Sequence, residues 1–262
     1  MRPFPNVLSP GVALACLLAP PAWALAAGAA AATAVPAVPA APSGAAPAKP
    51  NPSVASQETT MKKSGEAFPF PVDEKIFPNG LRAYVVHYDS PGLVAYYSVV
   101  RTGSRNEVEP GKSGFAHFFE HMMFRGTERY PQEAYNSVLK QMGADSNAYT
   151  SEDMTVYHIL AGKAALPKIV EIEADRFQHL KYSEPDFEKE ARAVLGEYNK
   201  GASNPLQRMF ESLYDNAFVA HTYKHTTIGF LKDIEAMPNE FAYSRQFFDR
   251  YYRPDKIGRA HV

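Results

Sequence analysis

The stretch HFFEH, residues 117–121, sets His117 and His121 four residues apart with Glu120 just before the second histidine. On a helix, residues four apart share one face, so the two imidazoles reach a common point. Glu120 lies at the edge of that face, while Phe119 and Met123 point elsewhere and pack. Two imidazoles supply two of the three protein ligands of a catalytic zinc ion, which also keeps a position open for water. A nearby carboxylate that is not a ligand can take a proton from that water. The same five residues also describe two surface histidines near an acid, each hydrogen-bonded separately, and the motif alone carries that risk.

A third ligand has to come from elsewhere, and from histidine or a carboxylate. The only cysteine, Cys16, lies in the N-terminal leader, so no thiolate is on offer. In EARAVLGE, Glu190, Val194 and Glu197 fall at i, i+4 and i+7 of one helix face. Two acids around an apolar residue are odd for a purely solvated surface. Either acid could bind metal while the other holds a ligand histidine in place. Alternatively both face water, as in EPDFEKE just upstream. His158, His179, His221 and His225 are read as packing, surface or substrate-side residues, because a metal site needs convergent geometry.

The elements that must position these residues follow from pattern and punctuation. FPNGLRAYVVHYD opens with an Asn79-Gly80 turn and runs into a strand; LVAYYSVVRTGS is a second strand after the Asp89–Gly92 turn. Ser113 is the expected N-cap of the histidine helix, which stops at Gly126. PQEAYNSVLKQMG is a second helix with Pro131 in its first turn. DSNAYTSEDMTVYHILAG forms two strands around Ser151-Glu152-Asp153. LPKIVEIEADRFQHL, EPDFEKEARAVLGEYNKG, LQRMFESLYDNAF and NEFAYSRQFFDRYY are helical. This order predicts an α+β fold, with an antiparallel or mixed sheet and helices packed on one face.

The first 26 residues carry an early arginine, an apolar run and the small-residue finish Ala24-Leu25-Ala26, which marks a signal peptide and an exported protein, periplasmic or secreted. Pro20 and Pro21 break the apolar run, so no stable membrane span is expected. Residues 27–66 are Ala/Pro-rich and expected to be a disordered linker. The folded domain is expected over 67–256. The net charge of -1, with signs well mixed, argues against a nucleic-acid partner.

FPNGLRAYVV, VRTGSRNE, GFAHFFEHMMFRGTERYP, NAYTSEDMTVY, EADRF, EKEARAVLGEY, IGFLKDIE and FFDRYYRPD occur in that order over about residues 68–255. With these motifs the sequence resembles the inverted-motif zinc peptidases (inverzincins), the family of pitrilysin, insulin-degrading enzyme and mitochondrial-processing peptidase. The resemblance implies an α-β roll that binds one zinc ion through His117, His121 and Glu197. It implies Glu120 as general base and Glu190 as the acid that holds a ligand histidine. Asn147 and Ala148 would lie on an edge strand that pairs with an extended peptide substrate. The implied activity is zinc-dependent endopeptidase hydrolysis of peptides or unfolded polypeptides. The alternative is a non-catalytic peptide-binding or partner subunit of the same fold, which would not need Glu120. The resemblance further implies a second homologous domain or subunit that contributes an arginine and a tyrosine. After RYYRPD the family continues into a Val-rich central strand. Here KIGRAHV follows, and residues 257–262 match a translated sequencing adapter, so they are expected to be a non-native tail on an incomplete domain.

Overall fold

Gly80, with φ of 87°, closes the first hairpin: β2 (Val72–Ile76) pairs antiparallel with β3 (Arg82–Val86) across the Asn79-Gly80 turn. A positive φ carries no Cβ penalty at glycine. The computed structural model describes residues 60–62 and 70–258, all of them in the contact unit Val54–Val262. β1 (Thr60–Lys62) adds to β2 and completes a three-stranded sheet. This strand falls within the span assigned above to the linker. Its backbone groups pair with Val72, Asp73 and Glu74, and ladder pairing needs no apolar side chain. The expected signal peptide and most of the linker lie outside the described residues, as does the tail beyond Gly258.

β4 (Leu93–Val100), β5 (Asp145–Thr150) and β6 (Thr155–Gly162) form a second antiparallel sheet in the order β4-β6-β5. The strands thus make two sheets, where the order of elements pointed to one. β3 pairs with β2, and β4 pairs along its whole length with β6. Period-2 alternation separates the faces of the second sheet. Tyr157, Ile159 and Ala161 are buried on one side, whereas Leu93, Tyr97 and Leu160 are exposed on the other. The buried face meets α1 (Phe115–Met122) across β5 and β6, and α3 (Leu166–His179) across β4 and β6. β5 is an edge strand. At the opposite edge, Ile257 bridges Val100 and Gly258 N donates to Val99 O at 2.8 Å.

Around this sheet run α2 (Gln132–Gln141), α4 (Glu184–Ala202), α5 (Pro205–Ala217), the short α6 (Leu231–Ala236) and α7 (Phe241–Tyr251). Ser183 starts α4 with a capping box shared with Asp186. Phe187, Ala191, Val194 and Tyr198 turn α4 toward the core, where Phe187 meets Phe118 of α1 at 4.9 Å between ring centroids. From the other side Phe247 of α7 stacks on Phe119 at 5.4 Å, and both rings are fully buried. The core therefore grips α1 between α4, α7 and the sheet. Phe247→Ala opens a cavity that these rigid neighbours cannot collapse, and it is expected to cost about 3–5 kcal/mol. Urea unfolding should show a lower midpoint at unchanged slope.

One buried ion pair supports the sheet side of α1. Arg176 donates to Glu173 at 2.6 Å, and its guanidinium lies 4.9 Å from the Tyr157 ring centroid and 5.2 Å from that of Tyr135. Tyr135 Oη donates to the other Glu173 oxygen at 2.7 Å. Tyr157, held in this aromatic cage, donates its hydroxyl to the Phe119 carbonyl at 3.0 Å. The sheet thus contacts the backbone of the histidine helix midway between His117 and His121.

Candidate metal centre

Helix α1 turns both imidazoles to the same side. His117 Nε2 and His121 Nε2 are 3.3 Å apart, and Glu197 Oε2, from α4, lies 3.5 Å from the first and 3.6 Å from the second. Two zinc ligands about 2.05 Å from a tetrahedral centre are about 3.3–3.4 Å apart, so the three observed separations match the edges of such a site. Among the described residues these three form the one group of histidine and acidic side chains with converging donor atoms. Glu197 is half exposed, so one side of the group opens to solvent.

Hydrogen bonds behind the trio orient this donor set. His121 Nδ1 is 2.9 Å from Glu190 Oε1, and Glu190 Oε2 accepts from Arg125 Nε at 2.8 Å and from its Nη2. With a proton on Nδ1, the His121 Nε2 lone pair is left facing His117 and Glu197. Burial works to lower the His121 pKa, but the Glu190 hydrogen bond and the charges of Glu197, Glu190 and Glu120 carry it above the usual value. Burial, then the neighbouring His121, push His117 down to about 3, which keeps its ring neutral. A neutral imidazole is the form that binds metal. Burial works to raise Glu190, and its hydrogen bonds to His121 and Arg125 outweigh that and hold it below the usual carboxylate range. Two imidazole nitrogens and a carboxylate oxygen on one point fit a zinc ion, whose binding would displace the proton that the surrounding carboxylates favour on His121.

Glu120 stands outside this trio. Its Oε2 accepts from Thr150 Oγ1 at 2.7 Å, which ties the carboxylate to the last residue of β5. Burial pushes its carboxyl above the usual range, against the lowering effect of that hydrogen bond. Asn147 and Ala148 lie on the same edge strand, where Ala148 N donates to Asn147 Oδ1 at 2.9 Å. The structure therefore brings His117, His121 and Glu197 together, with Glu190 behind His121 and Glu120 joined to β5.

Three contributors carried no role in the sequence reading. Arg125 holds Glu190, Thr150 holds Glu120, and Glu107 occupies the start of α1. The expected cap, Ser113, does not cap the helix. The N-cap position is Gly114 at φ 93°, with no side-chain bond. A Cβ there would lie 2.7 Å from the Ile228 carbonyl oxygen. Ser113 Oγ instead donates to Asp233 Oδ2 at 2.7 Å and accepts from Phe230 N at 2.9 Å. Its side chain is committed to α6, so the first helical N–H groups are met from elsewhere.

Comparison with known proteins bears on the family and the fold. The family model described as Insulinase (Peptidase family M16) matches residues 87–229. The zinc protease PqqE of Helicobacter pylori is 33% identical over 178 residues, which are 67% of this chain and 39% of that protein. The crystal structure of a protease from Helicobacter pylori superposes with a TM-score of 0.68 at 31% identity, covering 71% of this chain and 44% of that one. The periplasmic protease PqqL from Escherichia coli gives a TM-score of 0.63 at 26% identity, over 71% of this chain and 21% of that one. The chain thus spans less than half the length of each of these relatives.

Proposed function

Since this chain belongs to the insulinase peptidases of family M16, we propose that it is the zinc-bearing half of an endopeptidase that hydrolyses peptides or unfolded polypeptides. The observation that carries this reading is the convergence of His117 Nε2, His121 Nε2 and Glu197 Oε2, with Glu120 set apart on the same helix. His117, His121 and Glu197 hold the zinc, and Glu190 fixes the tautomer of His121 from behind. Bound there, zinc supplies Lewis acidity toward the scissile carbonyl and the attacking water.

Glu120 serves as general base. Thr150 holds this carboxylate in place, and the carboxylate takes a proton from water and returns it to the leaving amine. Burial raises the proton affinity of this carboxylate and so favours that transfer. The substrate lies extended along the outer edge of β5, the strand that carries Asn147 and Ala148 and that Thr150 joins to Glu120. The reading also includes a second homologous domain or subunit that supplies an arginine and a tyrosine, and export through the N-terminal leader. Among the described residues, no helix is long and apolar enough to cross a membrane.

The test is cleavage of an unfolded, labelled polypeptide by the protein purified from its own source with any homologous subunit that accompanies it. Cleavage should stop after dialysis against a chelator and return with one equivalent of zinc. Cleavage indifferent to chelation overturns the zinc reading. A zinc-loaded protein that binds the polypeptide without cutting it overturns catalysis in favour of a peptide-binding subunit.

A further inference from the structure

The two histidines are oriented by different means. His121 is held through its ring by Glu190, which is itself held by Arg125. His117 has no such support: its Nδ1 is buried without a hydrogen-bond partner among the described residues. The direction of its ring must therefore come from packing and from the backbone that carries it. That backbone is the first turn of α1, a helix of eight residues, well below the length at which an isolated helix is stable.

Glu107 fixes that turn. It follows the tight turn Ser104–Asn106 and is 4% exposed. Its two oxygens divide two N–H groups at the helix start: Oε2 accepts from Gly114 N at 2.8 Å and Oε1 from Ala116 N at 2.7 Å. These are N–H groups that a helix cannot satisfy internally. Ala116 immediately precedes His117, so the second bond sets the peptide from which His117 departs. Nearby, Asp233 holds Ser113 through both its N–H and its hydroxyl, and His225 Nε2 lies 3.7 Å from Glu107 Oε2. Burial pushes the Glu107 carboxyl up to about 8, while the backbone N–H groups pull the other way. In either protonation state each oxygen keeps a lone pair for one N–H.

We propose that Glu107 is a positioning residue of the metal centre, which aims His117 Nε2 at His121 and Glu197 by fixing the first turn of α1. It does through the backbone for His117 what Glu190 does through the ring for His121. The inference rests on the reading of this trio as a metal site. A purely structural Glu107 would affect folding stability and leave the donor geometry of the folded protein unchanged.

Glu107→Gln separates the two roles. The amide keeps one acceptor oxygen, but its NH2 faces an N–H donor, so one of the two bonds is lost and the first turn shifts. Cobalt(II) in place of zinc reports ligand geometry through its visible absorption, and chelator competition reports affinity. In the full chain, Glu107→Gln should remain folded by circular dichroism, bind metal roughly 10–100-fold more weakly, as do changes around metal ligands in general, and give an altered cobalt spectrum. Ile169→Ala, destabilised through the second core cluster away from α1, should keep the wild-type spectrum. A folded Glu107→Gln with wild-type spectrum and affinity overturns the positioning role and leaves the metal reading intact. A wild-type chain that binds neither cobalt nor zinc overturns the metal reading, and this inference with it. Should Glu107→Gln fail to fold, Glu107→Asp repeats the comparison; loss of fold in both overturns the assignment in favour of a structural carboxyl.

Discussion

Glu120→Gln should retain the zinc content of the wild type and lose about 10²–10⁴-fold in turnover, the usual share of a general base. The substitution is nearly isosteric. Thr150 Oγ1 can still donate to the side-chain oxygen it now meets at 2.7 Å, so the residue stays in place. An amide cannot take up a proton at neutral pH, and transfer from water to the leaving amine is lost. Glu120 is outside the group of converging donors, so its change leaves metal binding alone. The effect should appear in kcat with KM nearly unchanged, because the substrate pairs with β5 and not with this carboxylate. Elemental analysis and steady-state cleavage on the same preparation measure both parts. Wild-type kcat in the variant would sink the assignment.

His117→Ala removes the metal itself. Structural zinc sites bind with about 10–16 kcal/mol shared among their ligands, so one donor of three accounts for on the order of 10²–10³-fold or more in affinity. Among the described residues no other histidine or acidic side chain converges on this group, so none is poised to replace His117. Phe118 and Phe119, fully buried on either side of the helix seam, keep α1 seated, and the far-ultraviolet spectrum should be that of the wild type. Gel filtration followed by elemental analysis should find little zinc. A full equivalent bound at wild-type affinity would mean that the metal is held elsewhere.

The local parts of this molecule were legible in the sequence, and the non-local parts were not. His117 and His121 are joined by one helical turn, so their spacing alone brought them to one point. Glu190 and Glu197 could be placed on one face of a second helix, yet spacing did not say which acid meets metal. That depends on how α4 docks on α1 through Phe187 and Phe118. Ser113 has the right chemistry and position for a cap but is drawn off by Asp233, 120 residues away, and Glu107 takes over the helix start. β1 carries no apolar pattern and exists only because β2 offers an edge. In α5 the periodicity gave the helix but not its inner face. Gln207 and Glu211 are partly buried there, while Leu206, Met209, Phe210 and Leu213 are exposed.

The contacts at the start of α1 also impose an order in time. Phe230 and Asp233 bind Ser113, and a Cβ on Gly229 would lie 2.8 Å from Gly114 N. A chain emerging from its N-terminus presents the histidines early, but their helix cannot be finished until residues beyond 230 have followed, and Glu197 too must already be out. Contacts so distant in sequence form late, after the intervening loop has been closed. If the trio holds zinc as proposed, metal capture is thus a closing event in the chain's maturation. A ribosome-bound or translocating segment that ends before Asp233 should pass through its surroundings without zinc, and loading should begin only when the helix start is sealed.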